Sequence, residues 1–359
     1  MTPKEILKDL VAFNTIKDAE NHEIMNYIER FLKPFGFDID RRTNPGNGKE
    51  VLIADFGQKQ VMGFLGHTDT VDITEGWTSD PFVLTERDGN LYGLGACDMK
   101  GGIAASLWAA VNAPLEKIGE AGKGFRLYYT YDEEIMFGGI HDLVDGKEQF
   151  PPHMIIAEPS DLKPTIGSKG ILEYIFTFRG KTTHSSMPIK GKSSNKNAVR
   201  FLDRMMDFED TLKESRYPLF AVPHTTMNIG IIEGGTAINK VPAKTTVYLD
   251  FRICDSRKEY AKIRAFTDEA LREFDADYEI INDVPSLMNE GSRVAWYEEM
   301  TGKRRQAGTG ITEASFFESD SIILGPGPDT AHQFNEYITE KSLQRAAEIY
   351  LAAIKKECL

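Results

Sequence analysis

Residues 60–70 read QVMGFLGHTDT: an apolar run closed abruptly by His67 and, two residues later, Asp69. A run of that length bounded by polar residues reads as a buried strand. Its relatives along the first half of the chain are EVLIADF (50–56), FRLYYTY (125–131) and MIIA (154–157). Helical spacing lies between and before them: Ile6, Leu7, Leu10 and Val11 within 3–13, and Ile24, Ile28, Phe31 and Leu32 within 23–34. GGIAASLWAAV (101–111) reads as a small-residue helix packed closely on a sheet. Buried strands alternating with helices predict an α/β fold with a mostly parallel mixed sheet and helices on both faces.

The pattern changes near residue 171. ILEYIFTFRG, TTMNIGIIEGG and KTTVYLDFRI alternate with period two, as half-buried antiparallel strands do. Helical patterns at about 196–215 and 258–274 and a last strand, DYEIIND (277–283), complete the order βαββαβ. This predicts an inserted α+β domain over 170–284, with residues 1–169 and 285–359 forming the first domain. SRVAWYEEMTG, SIILGPG and SLQRAAEIYLAAIKK return to the α/β pattern after it.

Of 359 residues, 41% are hydrophobic and 27% charged, which supports a globular core. The formal charge of −13 argues against a nucleic-acid or anionic-membrane surface. No run approaches the roughly 18 apolar residues of a membrane span, and the N-terminus lacks the pattern of a secretory signal. Cys97, Cys254 and Cys358 are too few and too widely spaced for a disulfide framework, so a reducing, cytoplasmic setting is expected.

Four stretches place a metal-capable side chain where a buried strand is expected to end: GHTDT (His67, Asp69), GACDMKGG (Asp98), YDEE (Glu133, Glu134) and AEPS (Glu158). His332, in GPGPDTAHQFNE, follows the last apolar strand in the same way. Ligands of α/β sheets bind outside the carboxyl ends of the strands. Singly, each residue has an ordinary explanation: a loop histidine, a helix cap at Asp98, a solvated acid at Glu158, an exposed turn at Glu133–Glu134. Five such sites in succession are harder to dismiss. Two histidines and three carboxylates suit two zinc-like cations, with a carboxylate such as Asp98 able to bridge them. Asp69 could accept the second ring N–H of His67 and fix its tautomer.

Together GHTDTV, GLGACDMKGG, DEE, IIAEPS, GKTTHSS and AHQFNEY resemble the di-zinc aminoacylase, carboxypeptidase and deacylase family, in order and over nearly the whole chain. The resemblance implies His67 and Glu158 on one metal, Glu134 and His332 on the other, Asp98 between them and Glu133 as general base. It implies two divalent ions per subunit, zinc first and cobalt or manganese as alternatives. The first domain becomes the metal-binding catalytic domain and the insert a lid and dimerisation domain, so a homodimer is expected. His184, in GKTTHSS, resembles the lid histidine that donates to the oxyanion and in dimeric members serves the partner's site. Arg252 resembles an arginine that grips the substrate α-carboxylate, and Asn239 a lid asparagine near the same subsite.

Within the family, Thr312-Glu313-Ala314 is similar to the segment of the acetylornithine deacetylases, whereas desuccinylases carry an arginine where Ser315 stands. The resemblance therefore implies removal of acetyl from a small N-acyl amino acid, N2-acetylornithine first, with Glu313 near the substrate amine. Deacetylation of N-acetylcitrulline or N-acetyl-lysine, desuccinylation of succinyl-diaminopimelate and carboxy- or dipeptidase activity are the enzymatic alternatives. A non-catalytic binder of amino-acid derivatives is the alternative of another class, disfavoured because the base and all five ligand residues are present.

Overall fold

In the computed structural model, which describes residues 1–17, 19–289, 291–308 and 310–359, the chain enters helix α1 (Pro3–Val11) through a capping box. Thr2 Oγ1 accepts from the Glu5 N–H at 3.2 Å and Glu5 accepts from the Thr2 N–H at 2.7 Å. Helix α2 (His22–Leu32) buries Ile24, Met25, Ile28 and Leu32, the face that its spacing predicts. There follow β1 (Asp38–Thr43), β2 (Glu50–Gly57), β3 (Lys59–His67), the short β4 (Thr85–Arg87) and β5 (Asn90–Tyr92), α3 (Lys100–Val111), α4 (Leu115–Glu120) and β6 (Lys123–Thr130). Then come α5 (Glu133–Met136), α6 (Gly138–Asp145), β7 (His153–Pro159) and β8 (Thr165–Ser168).

Two units divide the chain. The first comprises Met1–Ile166, Asn289–Gln306 and Thr312–Leu359; the second comprises Gly167–Met288 and Ala307–Ile311. The second unit holds β9 (Gly170–Arg179), α7 (Ser194–Leu212), β10 (Thr226–Gly234), β11 (Lys244–Ile253), α8 (Ser256–Leu271), β12 (Ala276–Val284) and β13 (Leu287–Met288). The chain then runs through α9 (Val294–Thr301), β14 (Gln306–Gly308), β15 (Asp320–Gly325), β16 (Tyr337–Thr339) and α10 (Glu340–Cys358).

In the first unit the sheet order is β1-β2-β6-β3-β7-β15. The four central strands, β6, β3, β7 and β15, pair in parallel, while β1–β2 and β2–β6 are antiparallel. The expected mostly parallel mixed sheet is therefore present, with an antiparallel edge. Helix α3 lies so close to β7 that a Cβ at Gly102 would meet the Ala157 carbonyl oxygen at 2.1 Å. Small residues there let the helix approach the sheet, which is why the segment reads as Gly- and Ala-rich. Tyr350 of α10 packs on Phe64 of β3 with ring centroids 5.1 Å apart.

The second unit is a four-stranded antiparallel sheet in the order β10-β11-β9-β12, backed by α7 and α8. Tyr174, Phe176 and Phe178 from β9 and Val247, Leu249 and Phe251 from β11 alternate into one core with Phe201, Met205 and Ile263. Period two in these strands thus reports one buried face. Among the described residues, no helix is long and apolar enough to cross a membrane.

Candidate metal centre

Parallel pairing puts the carboxyl ends of β6, β3, β7 and β15 at one edge of the sheet. Residue His67 ends β3 and pairs with Thr130, the last residue of β6. Continuing the Leu65–Ile156 register by two residues brings His67 level with Glu158 on β7. Three residues beyond Thr130 the chain turns into the single-turn helix α5, which carries Glu133 and Glu134. Asp98 lies in the turn before α3, on the crossover from β3 to β6, and His332 lies in the turn after β15. No side chain caps α3, so Asp98 does not have the helix-capping role open to it from sequence.

The side chains converge. His67 Nε2 is 3.0 Å from Asp98 Oδ1 and 3.7 Å from Glu158 Oε1. His332 Nε2 is 3.1 Å from Glu134 and 3.6 Å from Asp98 Oδ2. Asp98 thus faces one histidine with each oxygen. Ligand atoms of His67, Glu133 and Glu158 lie within 4.8 Å of one another, as do those of His67, Asp98 and Glu134.

So many carboxylates in a buried space carry an electrostatic cost. Burial pushes Glu133 and Glu158 well above the ordinary carboxylate range, and the Asp98 charge pushes each further. Burial alone would lower the His67 imidazole, but Glu158, Asp69 and Asp98 outweigh it and hold the pKa well above its usual value. The hydrogen bond to Glu134 raises His332 to about 9. A protein-only site therefore resolves its charge by taking up protons. Divalent cations would resolve it instead, and imidazole with carboxylate is a donor set they accept. By this test the residues fit two divalent ions.

Local contacts fix the turn that carries the paired glutamates. Asp69 Oδ1 and Oδ2 accept from the Glu133 and Glu134 N–H groups at 3.2 and 3.1 Å. Against its burial, His67 and these amides hold the Asp69 carboxyl below its usual range. The sequence expectation for Asp69 is modified in one respect: His67 Nδ1 lies closer to the Asp69 main-chain oxygen (3.1 Å) than to its carboxylate (3.4 Å). Asp132 adopts a left-handed φ of 55°. Its carboxylate pairs with Lys49, a 5% exposed lysine that also donates to the Lys17 carbonyl.

The His332 turn is fixed as firmly. His332 and Asn335 have φ of 62° and 55°, conformations that cost free energy and persist only where surroundings impose them. Thr330 Oγ1 donates to the Tyr337 carbonyl at 2.7 Å and accepts from the Tyr337 N–H at 2.9 Å. Asn335 Oδ1 accepts from the Thr78 N–H at 2.9 Å. Glu336, 2% exposed, accepts from the N–H groups of Gly95 (2.9 Å), Cys97 (2.8 Å) and Asp98 (2.9 Å). Sequence reasoning assigned no role to Lys49 or Glu336. The available signal for Glu336 was an acid four residues after a candidate ligand histidine; for Lys49 there was none.

Glu313 lies in the turn Glu313–Phe316, fully buried, and among the described residues neither carboxylate oxygen has a partner within hydrogen-bonding geometry. Burial raises its pKa to about 7, and the charges of Glu133 and Glu158 are sensitive to it.

Three candidate residues belong to the second unit. The Ser186 N–H donates to His184 Nδ1 at 3.2 Å and the Ser186 hydroxyl lies 2.7 Å from the same nitrogen, an arrangement that suits a ring proton on Nε2 of this exposed side chain. Asn239 is next to it, its main-chain oxygen accepting from the Ser185 N–H at 2.9 Å. Arg252 is elsewhere: its Nε donates to Asp250 at 3.0 Å near the far end of β11. Residues 244 and 252 of that strand are about 26 Å apart at the usual rise, and His184 pairs with Lys240, before the strand begins. Within one chain Asn239 therefore accompanies His184, with the length of β11 between it and Arg252.

The profile of Peptidase family M20/M25/M40 matches residues 63–356. An acetylornithine deacetylase of Photorhabdus laumondii is 30% identical over 377 aligned residues, covering 99% of this chain and 97% of its own. One of Proteus mirabilis is 32% identical over 387 aligned residues, covering 99% and 96%. Among solved structures, aminopeptidase PepT from Bacillus cereus is similar with a TM-score of 0.77 at 21% identity, covering 99% of each chain. The YXEP protein of Bacillus subtilis, described as a dinuclear metal-binding peptidase of the M20 family, gives 0.68 at 16%, covering 99% and 98%. At those identities the two structures speak for the fold.

Proposed function

The chain belongs to peptidase family M20/M25/M40 and is a metal-dependent amide hydrolase, and we propose that it removes the acetyl group from an N-acetyl amino acid, N2-acetylornithine first. The observation that carries this reading is the convergence of His67, Asp98, Glu134, Glu158 and His332 at one sheet edge with Glu133 among them. The names of the relatives support the substrate. Two divalent cations, when bound, supply Lewis acidity that acidifies water and polarises the acetyl carbonyl. His67 and Glu158 would hold one and Glu134 and His332 the other, with Asp98 shared. Zinc is the first expectation, cobalt or manganese the alternatives.

In this reading Glu133 takes the proton of the attacking water as the new C–O bond forms. It returns that proton to the nitrogen as the C–N bond breaks, so acetate and a free amine leave. His184 Nε2–H is the donor for the developing oxyanion, and the Arg252 guanidinium receives the substrate α-carboxylate. Within one chain these two residues lie too far apart along the sheet to touch a single small substrate. Two copies of the chain, each lending one residue to the other's site, remove that difficulty.

Mixing tests this directly. H184A and R252A proteins, each inactive alone, should on subunit exchange recover about a quarter of wild-type activity, one intact site in each mixed dimer. Activity no greater than the sum of the two parents would exclude a shared site.

Glu313, buried and without a hydrogen-bonding partner among the described residues, is the acid proposed to meet the ornithine ammonium. Turnover of N-acetylornithine, N-acetylcitrulline and N-acetyl-lysine should show Glu313→Ala losing about 10- to 100-fold of its preference for the ornithine substrate over neutral citrulline, the worth of a charged hydrogen bond. Unaltered discrimination would leave Glu313 a buried neighbour of the centre and not a substrate contact.

A further inference from the structure

We propose that Glu336 is a positioning residue that couples the two halves of the metal centre, so that both ions lose affinity together when it is changed. The inference deepens the reading of Asp98 as the shared ligand and rests on it. Two separate pieces of chain must be brought into register: the turn at 95–98, which presents Asp98, and the turn at 330–337, which presents His332. Glu336 belongs to the second and grips the first. Its Oε1 accepts from both the Cys97 and Asp98 N–H groups and its Oε2 from that of Gly95. Three amides aimed at one buried carboxylate define the position of a turn far more closely than a single bond does. Gly95, with φ +75°, supplies the backbone conformation that points its N–H inward.

The second turn cannot drift independently of the first. Besides Glu336, the Thr330 N–H lies 3.4 Å from Cys97 Sγ, and the Thr330–Tyr337 pair closes the loop on itself. His332 and the Asp98 turn are thus parts of one hydrogen-bonded assembly. Asp98 reaches towards His67 with one oxygen and His332 with the other. A small movement of its turn therefore disturbs both metal positions, whichever ion is considered.

Glu336→Gln keeps the side-chain volume but turns one acceptor oxygen into an NH2 group facing amide donors. The experiment titrates chelator-stripped protein with cobalt(II), followed by calorimetry and by visible absorption, which reports ligand geometry. Wild type is expected to bind two ions. The variant is expected to lose about 10- to 100-fold of affinity at both positions, the usual penalty for losing a partner that orients a ligand, with an altered absorption spectrum. Asp98→Ala in the same titration separates the premises. If it binds two ions as wild type does, the shared-ligand reading fails and this inference with it. If it loses affinity while Glu336→Gln binds both ions as wild type does, only the positioning role is overturned. Loss at one position alone also overturns the coupling. Should Glu336→Gln not fold, Thr330→Val loosens the same turn without touching the three amides, and unchanged affinity for both ions there overturns the inference.

Discussion

Glu133→Gln is expected to lower kcat by about 10²- to 10⁴-fold, the contribution of a positioned general base, in protein that still carries its metal ions. The substitution isolates proton transfer because little else should change. Glutamine has nearly the volume of glutamate. The Glu133 main chain is held through its N–H by Asp69, a contact indifferent to the side chain. Without cations, burial and the charges of Asp98, Glu313 and Glu134 already favour the neutral form of Glu133, against the pull of His67. An uncharged amide there should therefore cost no stability. Cations opposite the side chain shift the balance towards the carboxylate, the form a base requires. Steady-state kinetics on N-acetylornithine, with metal analysis and thermal unfolding of the same sample, tests all three statements. A kcat within about threefold of wild type would remove Glu133 from the proton path.

Removal of the metal ions should have an effect of similar size on stability. Each ion that binds only the folded chain stabilises it by about 4 kcal/mol when free metal is about 1,000 times its Kd. For a unit of this size that corresponds to roughly 8–16 °C in the unfolding midpoint for each ion lost. The change should be local. All five proposed ligands lie in the first unit, in the segments around residues 67, 98, 134, 158 and 332. Chelation should therefore raise amide hydrogen exchange in the turns at 95–98, 131–136 and 330–337. Exchange in β9 and β11, whose core is aromatic and apolar, should stay unchanged. The direction follows from charge: stripped of cations, Glu133 and Glu158 must take up protons to remain buried beside Asp98, whereas bound cations satisfy them as carboxylates. An unfolding midpoint unmoved by full chelation would mean that the centre is already satisfied without metal.

Much of the fold was legible because burial writes itself into sequence. Strands β2, β3, β6 and β7 are apolar along most of their length, and β9 and β11 alternate strictly around one core. β1, with the sequence DIDRRT, escaped notice because it has no apolar face; it is an edge strand held by main-chain pairing to β2. The single turn of α5 escaped for a different reason. Four residues carry no helical period, and what forms it is the left-handed Asp132, whose carbonyl accepts from the Met136 N–H at 3.1 Å.

Most of the candidate ligand residues could be found because they stand shortly after an apolar run stops; Asp98, in the turn before α3, was found through its motif. Glu336 could not be found in that way, since its partners are main-chain amides that leave no mark in residue identity. Lys49 sits in a turn and reads as surface, yet it is buried against Asp132. The distance along β11 between Asn239 and Arg252 within one chain also left no mark in the sequence motifs, which report residue types and not how far apart a strand holds them.

The division of the first unit has a consequence for how the protein comes into being on the ribosome. Residues 67, 98, 134 and 158 are synthesised early, then the whole of Gly167–Met288 intervenes before β15, which inserts beside β7, and the turn that carries His332 and Glu336. Until then the nascent chain presents an incomplete cluster of acids with one histidine, and Asp98 lacks the carboxylate that steadies its turn. Assembly of the proposed centre should therefore wait until β15 and the turn at 330–337 have been synthesised, long after the first four ligand residues.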